Sequence, residues 1–359
     1  MRVLAAARHP GAAEAVGPVA AELRRDGHTV RLIGVRNDTP DTKVHGGSAS
    51  VFERSGLRSK DLREAGYGGD VVDLPAEFAD ALIDSFRPEA IFVGCSLDET
   101  GEHMGIEEAL VQAGDRHSIK TVQMIEYWDV WRPRTEPSFA STYTALDDLT
   151  RKVLEARGVP AGSILVTGHP GLDMFAETPE TRKSDRCPQP GIAGERSLGY
   201  FGQAADSEGN PDNPTTLGWT LDALPPRDRL VFSKHPRDDR SYSEALRDSG
   251  RGITARCSGD ELLGDVDICV THYSLMGLKA ALLNIPTVNI LPDGECTDIR
   301  ALCGGFPLSL LGGSQEAHTP DELRELLAGP LEGNASGLKR ALNVDGESTH
   351  RVVQQVIEG

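Results

Sequence analysis

The stretch RVLAAARHPGAAEAVGPVAAELRRDGHTVRLIGV (2–35) decides the predicted fold. Residues 2–7 form an apolar run of strand length, and Ala12–Arg25 then repeats apolar residues at helical spacing. Gly27 ends this helix, and residues 28–35 return to a strand-like pattern. A strand, a tight turn, a helix and a second strand make a β-α-β unit, which predicts a parallel sheet covered by helices.

The alternation of strands and helices continues through the first half of the chain, after a polar, Gly-rich stretch (36–70) that we predict to be loop. Further strands are predicted at 90–95, 121–125 and 163–167. Helices are predicted at 78–86, 105–113 and 144–157.

The pattern stops in a polar segment rich in Pro and charged residues (176–195) and then begins again. The second set of strands is predicted at 197–203, 229–236, 252–257, 267–273 and 287–291. The sequence therefore predicts an α/β protein with two Rossmann-like parallel-sheet domains facing a central cleft. The predicted order is an N-terminal domain (1–175), a linker (176–195), a C-terminal domain (196–345) and a C-terminal helix (346–359).

Composition limits the partners of the chain. The 359 residues suffice for two domains, and the formal net charge of −18 opposes binding to nucleic acids or anionic membranes. No signal-peptide pattern precedes the first strand, and no apolar run reaches the ~18 residues of a membrane span. We therefore expect a cytoplasmic protein without membrane insertion. The sequence leaves open whether the chain forms a homodimer.

Ligands of open parallel sheets bind at the carboxyl ends of the strands, near helix N-termini. In the second half, THYS (271–274) leads directly into a helix of small residues, and SKHPRD (233–238) follows another strand. Hydroxyl groups, cations and free backbone N–H groups at these ends favour a diphosphate, and the alternative for the hydroxyls is ordinary helix capping by Thr271 or Ser274. The candidate donor-binding residues are Gln203, His235, Arg237, Thr271, Tyr273, Ser274 and Lys279.

Strand ends of the first half carry carboxylates, namely Asp98 and Glu99 after one strand and Glu126 after the next. Carboxylates shielded from water can have raised pKa values and act as general acid or base, which makes these three the candidate catalytic residues. The alternative for Asp98 and Glu99 is helix capping.

Candidate acceptor-binding residues lie at two strand ends of the first half, one of which also carries Glu126. Trp128 and Asp129 belong to an aromatic cluster that is suited to a sugar ring or to packing. His9 and Gly11 follow the first strand, where Gly11 permits close approach of a ligand. No spacing typical of a metal site is present, and no cofactor is expected.

These motifs together resemble the glycosyltransferase-B superfamily over nearly the whole chain. The branch in question holds UDP-N-acetylglucosamine 2-epimerases, lipid-A-disaccharide synthase-like proteins and CDP-glycerol glycerophosphotransferase-like polymerases. The most specific stretch is ARGVPAGSILVTGHPGLD (156–173), which is similar to the segment that closes the first domain in this group. The stretches SKHPRD (233–238) and THYS (271–274) resemble the phosphotransferase-like branch.

The resemblance implies a GT-B fold and a nucleotide-activated sugar as substrate. It implies catalytic roles for Asp98 and Glu126, and phosphate contacts for Thr271, Tyr273 and Ser274. The chain departs from the pattern in two places. His272 replaces an Asp, and Lys279 replaces the acidic residue that the superfamily places on the nucleotide ribose. A cation accepts no hydrogen bond from a hydroxyl, so either the donor sits differently or it carries another anionic group.

Three functions follow as hypotheses. The first is metal-independent transfer of a sugar, or a related group, from a nucleotide-activated donor to a small-molecule acceptor. The second is nucleotide-sugar 2-epimerisation through Asp98 and Glu126. The third is nucleotide binding without catalysis.

Overall fold

The computed structural model of the chain describes most of its residues. The described residues are 1–36, 47–69, 74–95, 104–128, 130–131, 133, 139–177, 196–203, 213–235, 238 and 240–358. They divide into two compact units, of which the first contains Met1–Ala176 and Leu342–Gly359 and the second contains Glu177–Ala341. The boundary at Ala176 falls at the start of the predicted linker, most of which lies outside the described residues.

The first unit contains a seven-stranded sheet with the strand order β3-β2-β1-β4-β5-β6-β7, in which every pair of neighbours is parallel. Its strands are β1 (Arg2–Ala6), β2 (Thr29–Gly34), β3 (Lys60–Asp61), β4 (Ala90–Val93), β5 (Lys120–Ile125), β6 (Thr142–Ala145) and β7 (Ile164–Val166). Its helices are α1 (Pro10–Arg25), α2 (Ser48–Arg54), α3 (Ala76–Phe86), α4 (Ile106–Arg116), α5 (Asp148–Ala156) and the C-terminal α14 (Ser348–Ile357).

The second unit contains a six-stranded parallel sheet with the order β10-β9-β8-β11-β12-β13. Its strands are β8 (Ser197–Phe201), β9 (Arg229–Ser233), β10 (Gly252–Thr254), β11 (Ile268–Thr271), β12 (Thr287–Ile290) and β13 (Gln315–Ala317). Its helices are α6 (Asn213–Ala223), α7 (Ser243–Ser249), α8 (Gly259–Leu263), α9 (Leu275–Leu282), α10 (Thr297–Cys303), α11 (Pro307–Leu310), α12 (Pro320–Ala328) and α13 (Ala335–Ala341).

The apolar runs of the sequence become strands that are buried on both faces. In β1, Val3 and Ala5 belong to one hydrophobic cluster while Leu4 and Ala6 belong to another. Because helices cover both sides of a parallel sheet, its central strands need no polar face. The prediction of two Rossmann-like parallel-sheet domains is confirmed.

Two predictions of local structure were wrong. Thr144 and Ala145, predicted as the start of a helix over 144–157, belong to the strand β6 (Thr142–Ala145), and the helix begins only at Asp148. The carboxylate of Asp147 accepts the backbone N–H of Thr150 and caps the helix there, while the preceding β-branched and aromatic residues suit a strand. The stretch 36–70, predicted as loop, contains α2 and β3.

The C-terminal helix belongs to the first unit. Both carboxylate oxygens of Asp173 accept backbone N–H groups at its start, from Ser348 at 3.0 Å and from Thr349 at 2.7 Å. Gly168 has a positive φ, and a Cβ at this position would lie 2.5 Å from the Ser348 hydroxyl. The TGHPGLD stretch (167–173) thus anchors α14, a role that its polar strand-end position did not predict.

Candidate functional site

Each sheet reverses its strand order at one point, β1/β4 in the first unit and β8/β11 in the second. Ligands of open α/β sheets bind in the crevice at such a point, beyond the carboxyl ends of the strands. We call the polar residues there the first strand-end site (Arg8, His9, Glu107, Glu108 and Glu126) and the second strand-end site (Gln203, His235, Thr271, His272, Tyr273 and Ser274).

The first strand-end site is built around Arg8, which directly follows the β1 end and is buried. Its backbone N–H donates to Oε1 of Glu107 at 2.6 Å, and its Nε donates to Nε2 of His9 at 3.2 Å. A Cβ on Gly105 would lie 3.0 Å from an Arg8 nitrogen and 3.1 Å from a Glu108 carboxylate oxygen. The guanidinium group and the Glu108 carboxylate therefore converge on Gly105, which has no side chain to separate them.

Glu126 occupies the end of β5 and is 6% exposed. Burial raises the pKa of its carboxyl well above the ordinary value, and the negative charges of Glu107 and Glu108 act in the same direction. The backbone N–H groups of Glu126 and Cys95 oppose this rise by hydrogen-bonding to the carboxyl. Its Oε2 has no hydrogen-bond partner among the described residues. A carboxyl with a raised pKa keeps its proton to a higher pH than an ordinary carboxyl and can deliver it to a ligand.

Sequence reasoning did not single out Arg8, Glu107 or Glu108. Glu107 is fully buried although it lies in the first turn of α4, where acidic residues normally face solvent and the helix dipole. The one available signal was the adjacent pair of glutamates at the start of an apolar helix. Asp98, Glu99, Asp129 and Arg237 lie outside the described residues, so their predicted roles stay predictions.

The predicted acceptor residues of the first unit have different environments. Trp128 is 1% exposed, and its indole N–H donates to the buried Asp147 at 2.9 Å, which gives the ring a packing role. His9 occupies the N-cap position of α1 without a side-chain capping hydrogen bond, and it is half-buried. A Cβ on Gly11 would meet no atom of the described chain within 4 Å, so internal packing does not require a glycine there.

In the second strand-end site, the THYS motif forms the junction between β11 and α9. The hydroxyl of Thr271 donates to the Phe201 carbonyl oxygen at 2.9 Å and thereby ties β11 to the end of β8. The hydroxyl of Ser274 accepts the Met276 N–H at 3.2 Å and caps α9. The ring of Tyr273 packs edge-on against Phe306. The capping alternative therefore accounts for Ser274, and the Thr271 hydroxyl joins two strands, while the first turn of α9 still presents its helix-dipole charge.

His272 is fully buried between β8 and α6. Its Nε2 lies 2.7 Å from the Tyr200 hydroxyl and 3.0 Å from the Thr216 hydroxyl. Burial lowers the pKa of His272 to about 3, so the imidazole is neutral at physiological pH. Its Nδ1 has no hydrogen-bond partner in the described part of the chain. A neutral ring therefore occupies the position where the resemblance implied a carboxylate.

A second buried network joins Gln203, Asn213 and Asp238, which follow β8 and β9. The Asn213 side chain pairs with both backbone groups of Gln203, at 3.0 and 2.7 Å, and donates to Asp238 at 3.0 Å. Burial alone would raise the pKa of Asp238, but hydrogen bonds from Arg240, Tyr242 and Asn213 lower it to about 2.

The network leaves one donor for a ligand. Nε2 of Gln203 is buried and has no partner among the residues that the structure describes. The backbone N–H of Asp238 bonds to the His235 carbonyl oxygen at 2.9 Å, which holds His235 at the same edge of the sheet.

Lys279 lies on α9 and is buried, and its ammonium group lies 2.9 Å from Oδ1 of Asp260 on α8. The protein itself thus supplies an anionic partner for the cation that the sequence left unexplained. No extra anionic group on a ligand is needed to account for this lysine.

The chain matches no known family model and no curated protein sequence. Its fold is similar to that of UDP-GlcNAc 2-epimerase from Methanocaldococcus jannaschii, with 13% identity, a TM-score of 0.65 and full coverage of both chains. The enzyme from Neisseria meningitidis bound to UDP-GlcNAc gives 13% identity and a TM-score of 0.61 over both whole chains. A glycotransferase of kitacinnamycin gives 14% identity and a TM-score of 0.62, covering 99% of this chain and 98% of that one.

These similarities confirm the GT-B fold that the resemblance implied. At such identities they speak for the fold and leave the reaction open. Among the described helices, none combines the length and the apolar character that crossing a membrane requires.

Proposed function

We propose that the chain is an enzyme acting on a nucleotide-activated sugar, with the diphosphate bound by the second unit and the proton transfer performed by the first. The observation that carries this proposal is the different chemistry of two topologically equivalent strand-end sites. The first site has a buried carboxyl, that of Glu126, with one oxygen that has no hydrogen-bond partner among the described residues. The second site has a buried amide donor, Nε2 of Gln203, that has no hydrogen-bond partner in the described chain, and it lies beside the capped helix α9.

The second strand-end site suits an anion that carries several acceptor oxygens. Nε2 of Gln203 is a donor without a partner in the described chain, and α9 begins at the adjacent strand end. Leaving a buried donor unsatisfied costs about 1–3 kcal/mol, so a ligand acceptor at this position gains that amount. The helix N-terminus adds a favourable field for negative charge.

The first strand-end site suits proton transfer because Glu126 holds its proton under conditions where ordinary carboxyls are ionised. A group whose pKa lies nearer to neutrality can both donate and accept a proton during one catalytic cycle. Arg8 supplies a fixed positive charge near the Glu108 carboxylate, as the atoms around Gly105 indicate.

The finer proposal is transfer of the sugar, or a related group, to a small-molecule acceptor, with Glu126 as the acid/base group and Asp98 and Glu99 as further candidates. The second candidate is 2-epimerisation. It is favoured by the similarity of the fold to the two UDP-GlcNAc 2-epimerases and by the need of that reaction for an acid and a base at the sugar ring.

The test begins with binding. Calorimetry with UDP, GDP, ADP and CDP should identify at least one nucleoside diphosphate that binds wild-type protein, and Gln203→Met should weaken that binding roughly tenfold or more. The variant should fold normally, because Gln203 bonds to Asn213 through its backbone only. The matched control is Gln315→Met, a change at an exposed residue on the edge strand β13.

Turnover then separates the candidates. Nuclear magnetic resonance of the protein with UDP-GlcNAc alone detects an epimerase as the appearance of the C2 epimer, since that reaction needs no acceptor. A transferase consumes the donor only when an acceptor is added. Binding without either product supports the non-catalytic alternative, and failure of every nucleoside diphosphate to bind would contradict the whole proposal.

A further inference from the structure

The ion pair between Lys279 and Asp260 is unequal in its exposure to solvent. The lysine side chain is 8% exposed whereas the aspartate side chain is 59% exposed, with 2.9 Å between Nζ and Oδ1. A buried ammonium requires a partner, because the loss of hydration is costly. The ammonium group of Lys279 therefore holds the Asp260 carboxylate on its buried side, while the other side of the carboxylate faces solvent.

The position of Asp260 places that carboxylate at the edge of the second strand-end site. The preceding residue, Gly259, would bring a Cβ within 3.1 Å of Cε of Met276, in the first turn of α9. It would also bring the Cβ within 3.7 Å of the ring of Phe201, the last residue of β8. The start of α8 thus touches both elements that form the second strand-end site.

The chemistry of the pair restricts what it can recognise. The carboxylate accepts hydrogen bonds and repels phosphate, so Asp260 does not bind the diphosphate itself. The ammonium fixes Oδ1, which leaves the solvent-facing side of the carboxylate preorganised to accept hydrogen bonds from hydroxyl groups. A nucleoside diphosphate whose phosphates lie at α9 carries two hydroxyl groups on the adjoining ribose.

We propose that Asp260 is a specificity-determining residue that accepts hydrogen bonds from the ribose hydroxyls of the bound nucleotide, with Lys279 as its positioning residue. The inference rests on the proposed function, since it needs a nucleotide at the second strand-end site. The inference also explains why Lys279 stands where the resemblance implied an acidic residue, because Asp260 on the neighbouring helix α8 supplies the carboxylate.

The test compares two ligands that differ only in these hydroxyls. Calorimetry measures the affinity for the tightest-binding nucleoside diphosphate and for its 2′,3′-dideoxy counterpart. Wild-type protein should prefer the ribose form on the order of tenfold to a hundredfold, which is the range for a hydrogen bond to a charged acceptor. In Asp260→Ala the preference should fall to less than about threefold.

Two further variants keep the test independent of folding. Because Asp260→Ala removes a carboxylate from beside the buried Lys279, the double variant Asp260→Ser with Lys279→Met removes the lysine charge as well and should show the same loss of preference. The matched control is Asp321→Ala, which removes an exposed carboxylate in the first turn of α12 that is also paired with a basic side chain, and it should retain the full preference.

The outcomes separate this inference from the proposed function. A wild-type protein that binds the diphosphate without preferring ribose, or an Asp260→Ala variant that keeps the preference, would overturn the role of Asp260 and leave nucleotide binding intact. If no nucleoside diphosphate binds, the proposed function fails and this inference fails with it. A purely structural role of the pair would weaken both ligands equally and leave their ratio unchanged.

Discussion

The two strand-end sites occupy equivalent positions in sheets of the same topology, yet their residues differ in kind. Three carboxyl side chains and one buried arginine surround the first site. A neutral histidine, an amide and a capped helix form the second. The strand order fixes where a ligand can bind, and the few residues beyond each strand determine which chemistry is available there.

The difference also shows how each site handles burial. In the first site, burial favours the protonated form of Glu126 and so leaves a proton available. In the second site, burial favours the neutral form of His272 and so removes the proton that a charged imidazole would carry. The same low-polarity environment therefore prepares one site for proton transfer and keeps His272 of the other site neutral.

The largest expected effect concerns two buried carboxyls of the first unit, those of Glu126 and Asp147. Glu126→Gln should lower turnover on the authentic substrate by roughly 10²–10⁴, because the amide keeps the shape but cannot exchange the proton. Asp147→Asn is the matched control, since Asp147 is also buried but its oxygens are engaged by Trp128 and Thr150. It should lower stability and leave turnover per folded molecule nearly unchanged. Steady-state kinetics with both variants would refute the assignment if Glu126→Gln retained near-normal turnover.

A smaller effect concerns the pH dependence of the second unit. The pKa of His272 is about 3 in the folded chain and about 6.5 when unfolded, so the unfolded chain binds the extra proton between these values. Stability should therefore fall as the pH drops from 6.5 towards 3, by on the order of 3 kcal/mol at pH 4 from this group alone.

The measurement is the free energy of unfolding by denaturant at several pH values. His272→Gln should show a shallower decrease than wild type across this range, whereas His350→Gln, at an exposed site, should follow the wild-type curve. Parallel curves for wild type and His272→Gln would mean that the buried ring accepts a proton without penalty, and the contrast between the two sites would disappear.

The smallest expected effect compares glycines in the first turns of α1 and α9. Gly11→Ala should stabilise the chain by up to about 1 kcal/mol, because a Cβ meets no described atom and alanine favours a helix. Gly277→Ala should destabilise it by about 1–3 kcal/mol, since the Cβ would lie 3.0 Å from Cγ2 of Thr271. Thermal unfolding distinguishes the two. If Gly11→Ala also weakens the binding of a ligand to the first unit, the reason is that this ligand approaches Gly11 closely.

The sequence indicated the elements and the sheet type because these depend on local patterns. The β-α-β pattern of 2–35 became β1, α1 and β2 with small changes of boundary. The pattern missed the strand β6 (Thr142–Ala145) and placed its last two residues in a helix, because four residues ahead of a strong helix signal are too few for a periodicity to be recognised. It also did not assign Leu342–Gly359 to the first unit, because the contact between Asp173 and α14 joins residues far apart in the chain.

For the sites, the sequence by itself determined which side chains stand at strand ends, since a parallel sheet brings those ends to one edge. It marked Glu126 and Gln203 for that reason. Only the tertiary structure decided that Glu107 is buried beside Arg8, that His272 is neutral, and that Lys279 is paired with Asp260. These properties depend on burial and on partners from other elements, which set the charge state of a group and are not encoded in its local sequence.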